Sequence, residues 1–110
     1  MDVLSFHPQV PCDLQDAIYW HERRQPGLGR RFNAAFEQAV LEIQRHPLAW
    51  PRISPRRRRR KLKKFPFGVT YLIHDLDLFI VSIADLRREQ DPALERLSDF
   101  SELDEEGETS

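Results

Sequence analysis

The chain has 110 residues, 40% hydrophobic and 32% charged, with 17 basic against 18 acidic side chains. That is the composition of one compact domain, and no run of 18 apolar residues offers a membrane-spanning helix. Cys12 stands alone, which excludes an intramolecular disulfide and fits a reducing cytoplasm, and the N-terminus has no signal-peptide pattern.

The near-zero net charge hides an asymmetry. Residues 98–110, "SDFSELDEEGETS", carry six acids and no base, so the remainder holds 17 basic against 12 acidic residues. A basic body suggests an acidic partner, nucleic acid or an acidic protein segment. The expected organisation is one domain over residues 1–97 and an acidic tail, short of apolar residues and expected to be disordered, over 98–110.

Val3 and Ser5 alternate with Leu4 and Phe6, and Pro8 follows, which predicts a short first strand. After Pro11, Leu14, Ala17, Ile18 and His21 share one helical face, with Asp13 at the start and Arg23 and Arg24 at the end. Cys12 is expected half-buried just before this helix. Of the neighbours Tyr19 and Trp20, at most one is expected to be fully buried. "QPGLG" breaks the helix, because Pro26 cannot continue it and Gly27 and Gly29 permit a tight turn. Phe32, Phe36, Ala39, Val40 and Ile43 then form the stripe of a second helix. So short a connection predicts an antiparallel hairpin, which Pro47 ends.

"RRRRRKLKK" places eight bases between Arg56 and Lys64. "GVTYLIH" and "LFIVSIADL" follow, rich in β-branched and aromatic residues and joined near Asp75–Asp77, and they read as a β-hairpin. The basic segment is expected to be the neighbouring strand over Arg59 to Phe65, with a loop at Arg56–Arg58. Bases on both faces keep such a strand from being central and buried on both sides, because desolvating them is too costly, so it is expected at an edge or over an open face. At the C-terminus, Asp91 can cap a short helix begun by Pro92, with Leu94 and Leu97 inward. The fold class is α+β: an N-terminal strand, a two-helix hairpin on a small, mostly antiparallel sheet, and a short C-terminal helix.

No phosphate loop, metal-ligand spacing or activated nucleophile is present in the sequence, and no metal or cofactor is expected. His74, at a strand end, reads as a surface histidine. The chemistry rests on two basic clusters, Arg56–Lys64 and Arg87 with Arg88. Bordering one sheet face, they can orient phosphates, bind an acidic peptide, or stabilise the transition state of RNA cleavage.

In order and spacing, "PGLG" before a Phe-rich helix, "PLAWP", "FPFGVTY" and the strand-ending "LRR" resemble the RelE/ParE superfamily of toxins from bacterial toxin–antitoxin and plasmid-stabilisation systems. The resemblance covers about residues 2–97. It implies a cytoplasmic, growth-inhibiting toxin and a cognate antitoxin that neutralises it. RelE-like members cleave mRNA in the ribosome, and Lys61, Lys63 and Arg87 or Arg88 match their basic residues. Gly68 stands where a strand arginine is expected, and Ala93 and Leu94 where a tyrosine is expected. ParE-like members lack the nuclease set and poison DNA gyrase, and the helix length and "PGLG…FPF" pattern are closer to that branch. The leading expectation is therefore a gyrase-binding toxin that uses Arg59, Arg60, Lys61, Lys63, Lys64, Arg87 and Arg88. Its antitoxin is expected to contact Tyr19 or Trp20. The alternatives are a ribosome-dependent endoribonuclease built on Lys61, Lys63, Arg87 and Arg88, and a basic RNA-binding module without toxin activity.

Overall fold

The computed structural model describes residues 3–88 and 92–97. The acidic tail and the Asp91 cap lie outside the described residues. Strand β1 (Leu4–Phe6) leads into helices α1 (Val10–Arg24) and α2 (Leu28–Arg45), then strands β2 (Arg58–Lys61), β3 (Phe67–His74) and β4 (Asp77–Asp85), and helix α3 (Ala93–Arg96). The strand order is β1-β4-β3-β2, with β1 parallel to β4 and the other pairs antiparallel. This is the expected α+β architecture, with the basic strand at an edge.

Helix α1 begins earlier than expected. Pro11 lies in its first turn, where a missing N–H costs nothing. Cys12 is therefore on the helix and exposed, not half-buried ahead of it. Neither Tyr19 nor Trp20 is buried, at 64% and 44% exposure. His21 is buried instead, its Nδ1 2.7 Å from the Ala17 carbonyl oxygen and its ring stacked on Phe32.

The "PGLG" turn works through both glycines and one acid. Gly27 has φ +89°, a left-handed conformation that glycine adopts without a Cβ penalty. At Gly29 a Cβ would sit 2.6 Å from the Ile18 carbonyl oxygen, so only glycine lets α2 approach α1 this closely. The Glu22 carboxylate accepts the Gly27 and Gly29 N–H groups at 3.0–3.1 Å. A side chain from α1 thus caps α2, and the Gly27 bond, then that of Gly29, holds the Glu22 carboxyl below its ordinary range.

The α2 stripe is buried as expected and meets Val69, Tyr71, Leu78, Ile80 and Ile83 of the sheet. The Tyr71 hydroxyl donates to the Pro47 carbonyl at 2.6 Å, tying the proline-rich connection to the sheet centre. A register shift at Thr70/Tyr71 leaves Val81 as an extra residue on β4. Ile80 and Ile83 both join the helix-side core, while Val81 joins Leu72, Ala93 and Leu97 in a second cluster. On α3, Ala93 and Leu97 are the inward pair and Leu94 is exposed, a correction to the expected Leu94 and Leu97. The i,i+4 spacing of Ala93 and Leu97 keeps them on one face. No described helix is long and apolar enough to cross a membrane.

Candidate functional site

Strand alternation divides the basic segment. Arg58 pairs with Tyr71 and Arg60 with Val69, both residues of the helix-side core. Arg60 Nη2 lies 2.5 Å from Glu42 Oε1 on α2, and its guanidinium stacks 4.4 Å from the Trp50 ring centroid. Arg58 donates to the carbonyls of Leu48 and Trp50. Arg57 donates its backbone N–H and Nε to the Ser54 hydroxyl at 3.1 Å. These three bases hold the 47–57 connection against the sheet. Hydrogen bonds from Gln38 and then Arg60 keep the Glu42 carboxyl below its ordinary range.

Arg59 and Lys61 alternate to the opposite face, across from Thr70 and Gly68. A Cβ at Gly68 would meet Arg59 Cγ and Cδ at 2.9 Å, so the Arg59 stem lies over the glycine. An arginine at 68 would compete for that space. The strand is shorter than expected and begins one residue earlier. It ends at Lys61 because Leu62 turns into the core and Lys64 adopts φ +68°, closing a tight turn into β3. Lys61, Lys63 and Lys64 are exposed around this turn.

The second cluster sits where β4 leaves the sheet. Asp85 accepts the Arg87 N–H at 3.0 Å and its Nε and Nη2 at 2.9 Å, and Arg88 Nε lies 3.7 Å away. The Arg87 hydrogen bond holds the Asp85 carboxyl below its ordinary range and raises the Arg87 guanidinium. So fixed, the Arg87 guanidinium lies 5.8 Å from the Trp20 ring centroid and 5.9 Å from that of Phe67. Arg24 stacks 4.6 Å from Trp20, and Arg23 5.6 Å from Tyr19. Trp20, Phe67, Ile83, Asp85, Arg87 and Arg88 line a groove of about 460 Å³ between α1 and the end of β4.

The fold therefore joins Trp20 to Arg87, residues that the sequence assigns to different partners. Sequence reasoning missed Asp85, Glu42 and Trp50, the groups that fix Arg87 and Arg60. The only sequence signal was Asp85 two positions before Arg87. Lys61 shares a row with Gly68 and Ala84, so the strand lysine and Arg87 lie at the same end of the sheet. His74 is at the other end, beside the hairpin turn and 3.7 Å from Asp75.

No protein-family model and no curated protein matches the chain. Among solved structures, a chain from the "Chromosomal ParDE TA system from P. aeruginosa" aligns with a TM-score of 0.53 and 22% identity, covering 74% of this chain and 92% of that one. The two chains share a fold.

Proposed function

We propose that the chain is the toxin of a type II toxin–antitoxin module, of the ParE-like kind. It binds and inhibits DNA gyrase and is neutralised by a cognate antitoxin. The fold shared with a chain of the ParDE system supports the toxin reading. The observation that carries binding over catalysis is the state of Arg87. Two hydrogen bonds from its guanidinium to Asp85, and a third from its backbone N–H, hold Arg87 beside Trp20 and Phe67. That makes a rigid cation on an apolar floor, an anchor for a protein or polyanion surface. The antitoxin covers the same groove, reaching Trp20 and the exposed Tyr19 on α1.

The second reading, a ribosome-dependent endoribonuclease, draws on one observation: the row Lys61, Gly68 and Ala84 places Lys61 at the Arg87 end of the sheet. Lys61, Lys63, Arg87 and Arg88 supply positive charge there. General acid–base help, worth about 10²–10⁴-fold in rate, needs a proton-transfer group as well. His74 is at the opposite end, and position 93 is a buried alanine.

Two assays on the full chain separate the readings. Loss of gyrase supercoiling in vitro, relieved by Arg87→Ala and unaffected by Arg60→Met, is the expected result. Specific cuts in translated mRNA, mapped by primer extension and abolished by Lys63→Ala, would replace the gyrase reading with the nuclease one.

A further inference from the structure

The outer face of α1 presents a second groove, of about 510 Å³, beside the one at Arg87. Asp16, Tyr19, Trp20, Arg23 and Arg24 line it at i, i+3, i+4, i+7 and i+8, and all five are exposed. Their order along the helix is an acid, two aromatic rings and two bases. Arg23 stacks over Tyr19 and Arg24 over Trp20, which holds the guanidiniums along the face. Asp13, one turn earlier, is met by Arg96 of α3. Asp16 has no ion-pair partner among the described residues.

This order is self-complementary. When two copies of a helix cross antiparallel about a two-fold axis, residue i of one faces residue j of the other, and j faces i. With the axis between Tyr19 and Trp20, Asp16 of each copy faces Arg23 of the other, with Arg24 beside it. Tyr19 of each copy meets Trp20 of the other at the centre. Parallel packing would set Asp16 against Asp16 and Arg23 against Arg23, like charge on like.

We propose that two copies of the chain associate through the outer faces of their α1 helices, packed antiparallel. The four aromatic rings supply the contact that excludes water, and the ion pairs at either end set its direction. One helix face is a small interface, below the ~800 Å² per partner of a standard contact, so pairing belongs to roughly micromolar concentrations and above. Trp20 also lines the Arg87 groove, so a ligand seated there and a second copy compete for the same ring. The association is a property of the chain alone and does not rest on the toxin reading, so its test uses no partner protein.

Two measurements on the full-length chain test it. Sedimentation velocity between ~5 and ~200 µM should show a monomer giving way to a dimer. Asp16→Arg alone, and Arg23→Glu with Arg24→Glu, should each weaken self-association at least ~10-fold, since like charges then face each other. An equimolar mixture of the two variants should pair as the parent does, because every contact is again between opposite charges. All three positions are exposed, so the variants keep the fold. The second measurement reads direction. Cys12 is exposed and is the chain's one cysteine, so a nitroxide can be attached to the unaltered sequence. At 1.5 Å per residue and 8–10 Å between axes, the two labelled positions should lie about 24 Å apart, against about 10 Å in a parallel pair. Pulsed EPR at the higher concentration measures that distance. A monomer throughout the concentration range, a dimer that survives both charge reversals, a mixture that does not pair, or labels within about 15 Å of each other overturns the proposal.

Discussion

Removing the Arg60–Glu42 pair tests whether part of the basic run is structural. The pair is mostly buried, with side-chain exposures of 11% and 21%, and the guanidinium lies on Trp50. An exposed pair contributes about 0.2–1 kcal/mol, and removing one partner of a fully buried pair costs about 3–5 kcal/mol. Glu42→Gln leaves the less exposed Arg60 without its counter-ion, so a loss of about 2 kcal/mol is expected, between those limits. Arg60→Met keeps the stem packing and leaves Glu42 bonded to Gln38 at 2.9 Å, so its cost is lower, about 1–1.5 kcal/mol. Because the two share one contact, the double variant should cost about 1 kcal/mol less than the sum. At about 4 °C or more per kcal/mol for a chain of this size, calorimetry resolves these differences. Lys61→Met and Lys63→Met, at exposed positions, should stay within about 0.5 kcal/mol of the parent. The Glu42 carboxyl is depressed in the folded chain, so its contribution is present above 4.5, its ordinary value, and is lost as pH falls through the lower folded value. The gap between parent and Glu42→Gln should therefore close in acid. Additive losses, or an Arg60→Met cost no greater than that of Lys61→Met, would refute the reasoning.

Three further outcomes are expected. Gly29→Ala places a methyl against the Ile18 carbonyl, and overpacking of about 1–3 kcal/mol outweighs the better helix propensity, so thermal denaturation should show a lower Tm. Burial pushes the Tyr71 hydroxyl up to about 12, so its contribution is complete below the ordinary value of 10 and is lost as pH rises toward about 12, at about 1.4 kcal/mol per pH unit. Tyr71→Phe should remove that alkaline loss in a urea titration, while costing about 1–2 kcal/mol at neutral pH for the unpaired Pro47 carbonyl. Trp20→Ala should weaken antitoxin binding by about 2 kcal/mol, and Arg87→Ala on top of it should add less than its own single effect, read by calorimetric titration.

The helical hairpin was legible in the sequence because its information is local. A stripe at helical spacing runs from Phe32 to Ile43, and Pro26, Gly27 and Gly29 punctuate it. Strand β2 was legible as a strand at an edge or over an open face, but not in its limits. Five consecutive arginines carry no alternation in the letters, and only the partners, Glu42 and Trp50 on one side and Thr70 on the other, distinguish the faces. The inward face of α3 was misread because Ala93 is small and Leu94 is large, whereas the cluster at Leu72 and Val81 takes the pair four apart. The groove was not legible at all. Trp20 and Arg87 lie far apart in the chain and meet only because α1 crosses the end of β4, where Asp85 fixes the arginine.

The division of the basic run has a consequence for any polyanion. Binding to a duplex releases counter-ions, and log K falls against log salt with a slope of about −0.9 per phosphate neutralised. If all eight bases between Arg56 and Lys64 faced phosphates, the slope from this segment alone would approach about −7. Arg57, Arg58 and Arg60 are instead bonded to Ser54, to backbone carbonyls and to Glu42. Lys61, Lys63 and Lys64 are the exposed members, and each should contribute about one unit of slope. Lys61→Ala should then flatten the salt dependence of binding to a short DNA duplex by about 1, at little cost in stability. Arg60→Met, measured below its melting range, should leave the slope unchanged although it removes the same formal charge. Fluorescence anisotropy across a series of salt concentrations makes the comparison. Equal flattening by the two variants would mean that Arg60 leaves Glu42 to meet phosphate, and that the basic strand acts as one continuous patch.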